Sequence, residues 1–133
     1  MILVDTSIWI RFIANREPYA NELNKLLRLD EVIGHQFVYG ELLIGDRGGR
    51  QKLLADYERM DQAKVVPHRE VVAFVLNRRL HGLGVGWIDI HLLASAIVEG
   101  ISLWTADPRL SALAQQLGVA YYPPAPSGPS QPF

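Results

Sequence analysis

Four carboxylates of this chain stand in apolar settings. Asp5 follows Ile2-Leu3-Val4, and Glu41 lies in Phe37-Val38-Tyr39-Gly40-Glu41-Leu42-Leu43-Ile44. Asp89 is framed by Trp87-Ile88 and Ile90, and Asp107 comes soon after Ile101-Ser102-Leu103-Trp104-Thr105. A carboxylate is rarely buried unless something positive compensates it. No Lys or Arg occurs between Trp87 and Glu99 to pair with Asp89, and none lies in the Gln36–Ile44 segment around Glu41. Unpaired buried acids would become neutral. A shared divalent cation explains all four acids at once, with Asp5 and Asp89 as its expected ligands and Glu41 and Asp107 completing the catalytic set. Oxygen donors suit Mg²⁺, with Mn²⁺ as the alternative. Zinc is unsupported, because His35, His68, His81 and His91 show no HxH or HxxxH spacing. The chemistry that such a cation serves best is in-line displacement at phosphorus, so the substrate would be a phosphodiester or phosphate ester. Taken singly, Asp5 and Asp107 also read as helix caps, Asp89 as an acid met by a distant arginine, and Glu41 as a solvent-facing residue.

These side chains need elements to position them. Ile2 to Val4 reads as a buried strand feeding a helix from Ser7 to Ala14, with Thr6 or Ser7 as its cap. Helices are also expected over 19–29, 36–44, 50–59, 70–80, 87–99 and from Asp107-Pro108 to Leu117. Val71, Val72, Val75 and Leu76 form the expected buried stripe of the 70–80 helix, and the 87–99 helix is apolar almost all round, hence central. Further strands are expected at Val32-Ile33, Val65-Val66, Ile101–Trp104 and Val119–Tyr122. Gly82-Leu83-Gly84-Val85-Gly86 reads as a connector, since no strand precedes it to make a phosphate loop. The alternation implies an α/β fold: a three-layer sandwich with a central parallel sheet of four to five short strands flanked by helices. Ligands of such sheets bind beyond the carboxyl ends of the strands. Asp5 and Asp107 therefore belong on one rim, beside Thr6, Ser7 and Thr105. Residues 1–122 form one domain in this reading, and Pro123 to Phe133, rich in Pro, Ser and Gly, is a disordered tail.

The bulk composition narrows the class. The 133 residues are 49% hydrophobic and 20% charged, values of a single globular domain. A net charge of −1 supplies no global basic field for nucleic acid, so any such contact needs a local patch. The absence of cysteine excludes disulfides, thiolate chemistry and cysteine zinc sites. No apolar run reaches the roughly 18 residues of a membrane span. Asp5 and Arg11 interrupt the first apolar stretch and no basic leader precedes it, so no signal peptide is expected and the cytoplasm is the expected compartment. Trp9, Trp87 and Trp104 read as core, His91 as structural, and Arg47, Arg50, Lys52, Arg78 and Arg79 as solvated.

Asp5-Thr6-Ser7, Glu41-Leu42-Leu43-Ile44-Gly45, Asp89 within Trp87–Ala94, and Thr105-Ala106-Asp107 together resemble the PIN-domain ribonucleases, most closely the VapC toxins of bacterial toxin–antitoxin pairs. The likeness runs from Met1 to about Tyr122. It implies a metal-dependent endoribonuclease whose acids are Asp5, Glu41, Asp89 and Asp107, with Thr105 as a polar neighbour. It also implies a homodimer, a VapB-like antitoxin as partner, a structured RNA such as tRNA as substrate, and products with 5′-phosphate and 3′-hydroxyl ends. Ala106 and Pro108 stand where many relatives carry basic residues, which puts a substrate grip at that point in doubt. Two other classes are open to the same acids. A haloacid-dehalogenase-type phosphatase also starts with a strand and Asp, but needs a second Asp two positions on, where Ser7 stands. A non-catalytic module could use the acids to dock an antitoxin or RNA.

Overall fold

The computed structural model describes residues 1–124. Ile2–Val4 forms β1, Val32–Ile33 forms β2 and Ser102–Trp104 forms β3. All pairing is parallel in the order β2-β1-β3, with Ile2 opposite both Val32 and Ser102. The helices are α1 (Thr6–Ile13), α2 (Tyr19–Arg28), α3 (Gln36–Ile44), α4 (Gln51–Glu58), α5 (His68–Arg78), α6 (Trp87–Glu99) and α7 (Pro108–Gln116). The expected α/β architecture, a parallel sheet flanked by helices, is the observed one. No helix among the described residues is long and apolar enough to cross a membrane.

The sheet is smaller than expected. Val65-Val66 forms no strand, although Val66 is buried. Pro67 follows it without an N–H to continue a ladder, and α5 begins at His68. Val119–Tyr122 contributes only one parallel bridge, Ala120 opposite Leu103, before Pro123 and Pro124 end the pairing. The proposed tail lies outside the described residues beyond Pro124.

β1 is the centre of the molecule, with Leu3 and Val4 wholly buried. Around it pack Ile8, Trp9, Leu23, Val38, Leu42, Leu92, Leu93, Leu103 and Leu110. Within α6, every residue from Ile90 to Ala96 is buried, as its all-round apolarity predicts. Gly100 ends α6 at φ +66°, a left-handed conformation that suits glycine. The stripe on α5 is narrower than expected: Val71 is buried, but Val72 and Leu76 turn outward, Leu76 with 63% of its surface exposed. Trp87 also departs from expectation. Trp9 and Trp104 are core, whereas Trp87, in the first turn of α6 at the rim, is 43% exposed and packs edge-on against His68 and His91.

A polar chain crosses this core. His35, fully buried, caps α3 by accepting the Phe37 N–H at Nδ1 (3.0 Å). The proton of the neutral ring therefore sits on Nε2, which donates to Ser95 Oγ at 3.1 Å. Ser95 in turn donates to the Lys64 carbonyl at 2.6 Å. The Tyr57 hydroxyl accepts the His35 backbone N–H at 2.8 Å. Burial, aided by repulsion from His91, pushes the His35 ring down to about 4, so the ring is neutral at physiological pH.

Candidate active site

The strand order sets the location. β1 connects outward to β2 on one side, while β3 connects outward to the Ala120 bridge on the other. The crevice between the carboxyl ends of β1 and β3 is thus the topological switch point, where open α/β sheets bind ligands. Asp5 directly follows β1, and Thr105, Ala106 and Asp107 directly follow β3. The Asp5 N–H donates to the Trp104 carbonyl at 3.0 Å, which fixes the two strand ends against each other.

Hydroxyls lace this junction together. Asp5, only 4% exposed, accepts Ser7 Oγ at Oδ1 and Thr105 Oγ1 at Oδ2, the latter at 2.6 Å. Ser7 Oγ accepts the Ala106 N–H, and Thr105 Oγ1 accepts the Asp107 N–H, each at 3.0 Å. Asp5 rather than Thr6 or Ser7 is the N-cap of α1, accepting the Ile8 N–H. The cap position needs a side-chain oxygen aimed at the third helical N–H, and Asp5 already occupies the extended conformation that allows this. Thr6 turns to Glu41 on α3 instead, donating at 2.5 Å. Asp107 caps α7 through the Arg109 N–H, with Pro108 at the first helical position. Asp89 enters from the first turn of α6, whose N-terminal end favours negative charge.

The four acids share one field. Asp89 is pushed up to about 6, first by burial and then by repulsion from Asp5, Glu41 and Asp107. Burial also raises Asp5, against the opposing hydrogen bonds from Ser7, Thr105 and Ile8. Among the described residues, the salt bridges are Lys25–Glu22 and Lys52–Asp56, and neither touches this cluster. Concentrated negative charge with oxygen donors and no cationic side chain in ion-pair contact is a donor set that fits a hard divalent cation. Among the described residues no group of three or more acids or histidines stands in position to hold a metal ion as the side chains lie. Both Asp5 oxygens and one Glu41 oxygen are held by hydroxyls. That suits Mg²⁺, which keeps several waters and rarely takes an all-protein cage.

One pair of residues escaped the sequence reading. A cavity of about 480 Å³ adjoins the acids: Ser7, Ala106 and Asp107 line it, and so do Arg11 and Arg109. The grip that Ala106 and Pro108 cannot supply has cationic candidates one residue further along α7 and on α1. The available signal was spacing: Arg11 lies one helical turn after Ser7 and Arg109 two residues after Asp107.

The match to known proteins can now be set against this geometry. The PIN domain family model covers residues 2–116, all four acids included. The chain belongs to the PIN-domain family. Ribonuclease VapC32 of Mycobacterium tuberculosis, from strains CDC 1551 / Oshkosh and ATCC 25618 / H37Rv, is 42% identical over 121 residues, covering 90% of this chain and 95% of the relative. This places the chain among VapC-type PIN domains. The crystal structure of PAE2754 from Pyrobaculum aerophilum shares the fold, with a TM-score of 0.55 at 17% identity over 88% of this chain and 94% of that one.

The charge cluster in this PIN domain has a cost that can be measured without RNA. Asp89 holds its proton more tightly folded than unfolded, so its contribution to stability falls as pH rises from about 4 through about 6. In metal-free buffer, Asp89→Asn should raise the melting temperature near pH 7.5 by roughly 3–5 °C, allowing for the half-exposed site, and by much less at pH 4. Thermal melts of both proteins at the two pH values check this. An equal shift at both would mean that Asp89 is not held in a repulsive field.

Proposed function

We propose that this protein is a divalent-metal-dependent endoribonuclease, the toxin of a toxin–antitoxin pair, using Mg²⁺ or alternatively Mn²⁺. The observation that carries the reading is the placement of Asp5, Glu41, Asp89 and Asp107 about one rim, where Asp89 is raised first by burial and then by repulsion from the other three. The likeness to a ribonuclease over nearly the whole chain supports RNA as the substrate class.

Asp5 and Asp89 would hold the cation, with Glu41 and Asp107 on its flanks. When bound, the cation lowers the pKa of water and neutralises charge building on the phosphate. The chain's own residues do the positioning. Ser7 and Thr105 orient the Asp5 carboxylate by donating to its two oxygens; Oδ1 also accepts the Ile8 N–H, so Oδ2 is the oxygen that keeps a lone pair for other contacts. Thr6 fixes Glu41 in the same way. The N-terminus of α7, capped by Asp107, closes the crevice on the β3 side.

The VapC-type relationship supports a VapB-like antitoxin as partner, and tRNA is the substrate to try first. Pairing of two copies would draw on the exposed apolar side chains of Leu76 and Trp87, on the neighbouring helices α5 and α6.

Sequencing RNA ends in cells after brief induction, beside an Asp89→Ala control, tests the reading. New, discrete 5′-phosphate ends that require Asp89 are expected. Identical end profiles from the two proteins would remove the ribonuclease assignment. Tight antitoxin binding with no cleavage over a range of Mg²⁺ and Mn²⁺ would instead mark a non-catalytic PIN module.

A further inference from the structure

The cavity beside the acids carries an assignment of its own. Its lining carries two arginines, Arg11 and Arg109, beside Asp107 of the acidic rim. Arg11 is held from two sides: Nη1 donates to the Ser7 carbonyl at 2.9 Å, and the guanidinium lies over the Tyr19 ring, 5.3 Å from its centre. One of its five N–H donors is thereby used and the group is fixed in place. The Arg109 guanidinium makes no hydrogen bond or ion pair with any other described residue. It is nevertheless placed, because it lies against the backbone of Gly84 in the connector between α5 and α6. Gly84 has φ +76°, a backbone conformation that calls for glycine, and a Cβ there would stand 2.3 Å from Arg109 Nη1, so a side chain at this position would push the end of Arg109 aside. The connector therefore acts as a shelf for Arg109. Two arginines lining one cavity together with Ser7 and Asp107 offer planar forked donors of the kind that grip phosphate.

We propose that this cavity is a subsite for a backbone phosphate of the bound RNA strand next to the one cleaved, gripped by Arg11 and Arg109, with Gly84 as the positioning residue for Arg109. The proposal rests on the ribonuclease reading and supplies what that reading lacks: a chain of net charge −1, with four acids at its centre, must attract a polyanion somewhere. The contact is to phosphate, so it fixes the register of the strand without reading its sequence.

The test uses bulk tRNA as the probe. Binding is measured in the Asp89→Asn background, so that RNA stays intact, and cleavage is measured with Asp89 present. Arg109→Gln and Arg11→Gln should each weaken binding by about tenfold, the usual effect of losing one charge-assisted contact. Each should also lower the slope of log affinity against log salt by about 0.7–0.9, and raise KM with kcat little changed. Arg109→Lys should keep the salt slope while losing part of the affinity, which a merely structural arginine would not do. Gly84→Ala should reproduce the Arg109→Gln effect, and the double variant should be no weaker than either single one. Cleavage with affinity and salt slope untouched in both arginine variants would overturn the subsite and leave the nuclease reading standing. Arginine-dependent binding without cleavage by the native chain would do the reverse. Neither binding nor cleavage by the native chain would overturn both.

Discussion

If the proposed nuclease reading holds, a chain carrying Asp89→Ala should cleave RNA at least ~10³-fold more slowly than the native one, since loss of the proposed metal ligand would forfeit several kcal/mol of transition-state charge stabilisation. Chelation of divalent ions should have a comparable effect on the native chain, reversible by added Mg²⁺. Asp89 gives the cleaner test among the acids because it makes no hydrogen bond to another described side chain and caps no helix. Asp5→Ala would mix two effects. It would remove a metal ligand, and it would also leave α1 uncapped and strand the hydroxyls of Ser7 and Thr105. Asp5→Asn separates them, because asparagine caps a helix as well as aspartate does. That variant should keep its melting temperature within a few degrees and still lose cleavage. Cleavage rates within tenfold of native in Asp89→Ala, with metal present, would end the case for a shared cation.

His35→Ala should cost about 3–4 kcal/mol of stability at pH 7.5, through the cavity it leaves and the Ser95 and Phe37 partners it abandons. A fall in melting temperature of more than about 10 °C follows for a domain of this size. The size of that loss depends on pH, with a definite sign. The His35 ring is pushed down to about 4 in the fold and titrates near 6.5 when unfolded, so the unfolded chain binds the extra proton between those values. Its stabilising contribution is complete above about pH 6.5 and disappears as pH falls toward 4. The gap between native and His35→Ala proteins should therefore narrow on acidification. A gap that stays constant from pH 7.5 to pH 4.5 would show that the buried ring gains a proton without penalty.

Much of the site was legible because its signal was a contradiction within the sequence. Acids in Ile2–Asp5 and in Trp87–Ile90 violate local patterning, and such violations concentrate where function outweighs stability. The boundaries of β1, α3 and α6 were equally clear, since each is short, apolar and closed by a residue with a definite conformational habit. What the sequence concealed depends on tertiary neighbours. Val65-Val66 forms no strand despite its β-branched residues, because Pro67 and the start of α5 at His68 stop any ladder there. Leu76 and Trp87 carry apolar side chains outward because α5 and α6 meet along a narrow seam. The cap of α1 is Asp5, whose extended backbone aims its carboxylate at the Ile8 N–H, while Thr6 donates to Glu41, 35 positions distant. Arg11 and Arg109 carried no signal of a site in the sequence beyond their spacing, and only the fold shows them lining the same cavity. The resemblance supplied RNA and the antitoxin, which no geometry of carboxylates could.

The hydrogen bond from Thr105 to Asp5 joins residues 100 positions apart. A chain growing from its N-terminus on the ribosome makes Asp5, Glu41 and Asp89 first, and cannot clamp Asp5 or close the rim until β3 and the turn after it have emerged and folded back beside β1. Assembly of the centre is thus a late event, set by the most distant pairing in the domain. Until that pairing forms the acidic rim is incomplete, so the order in which the chain is made and the order in which the site is assembled coincide.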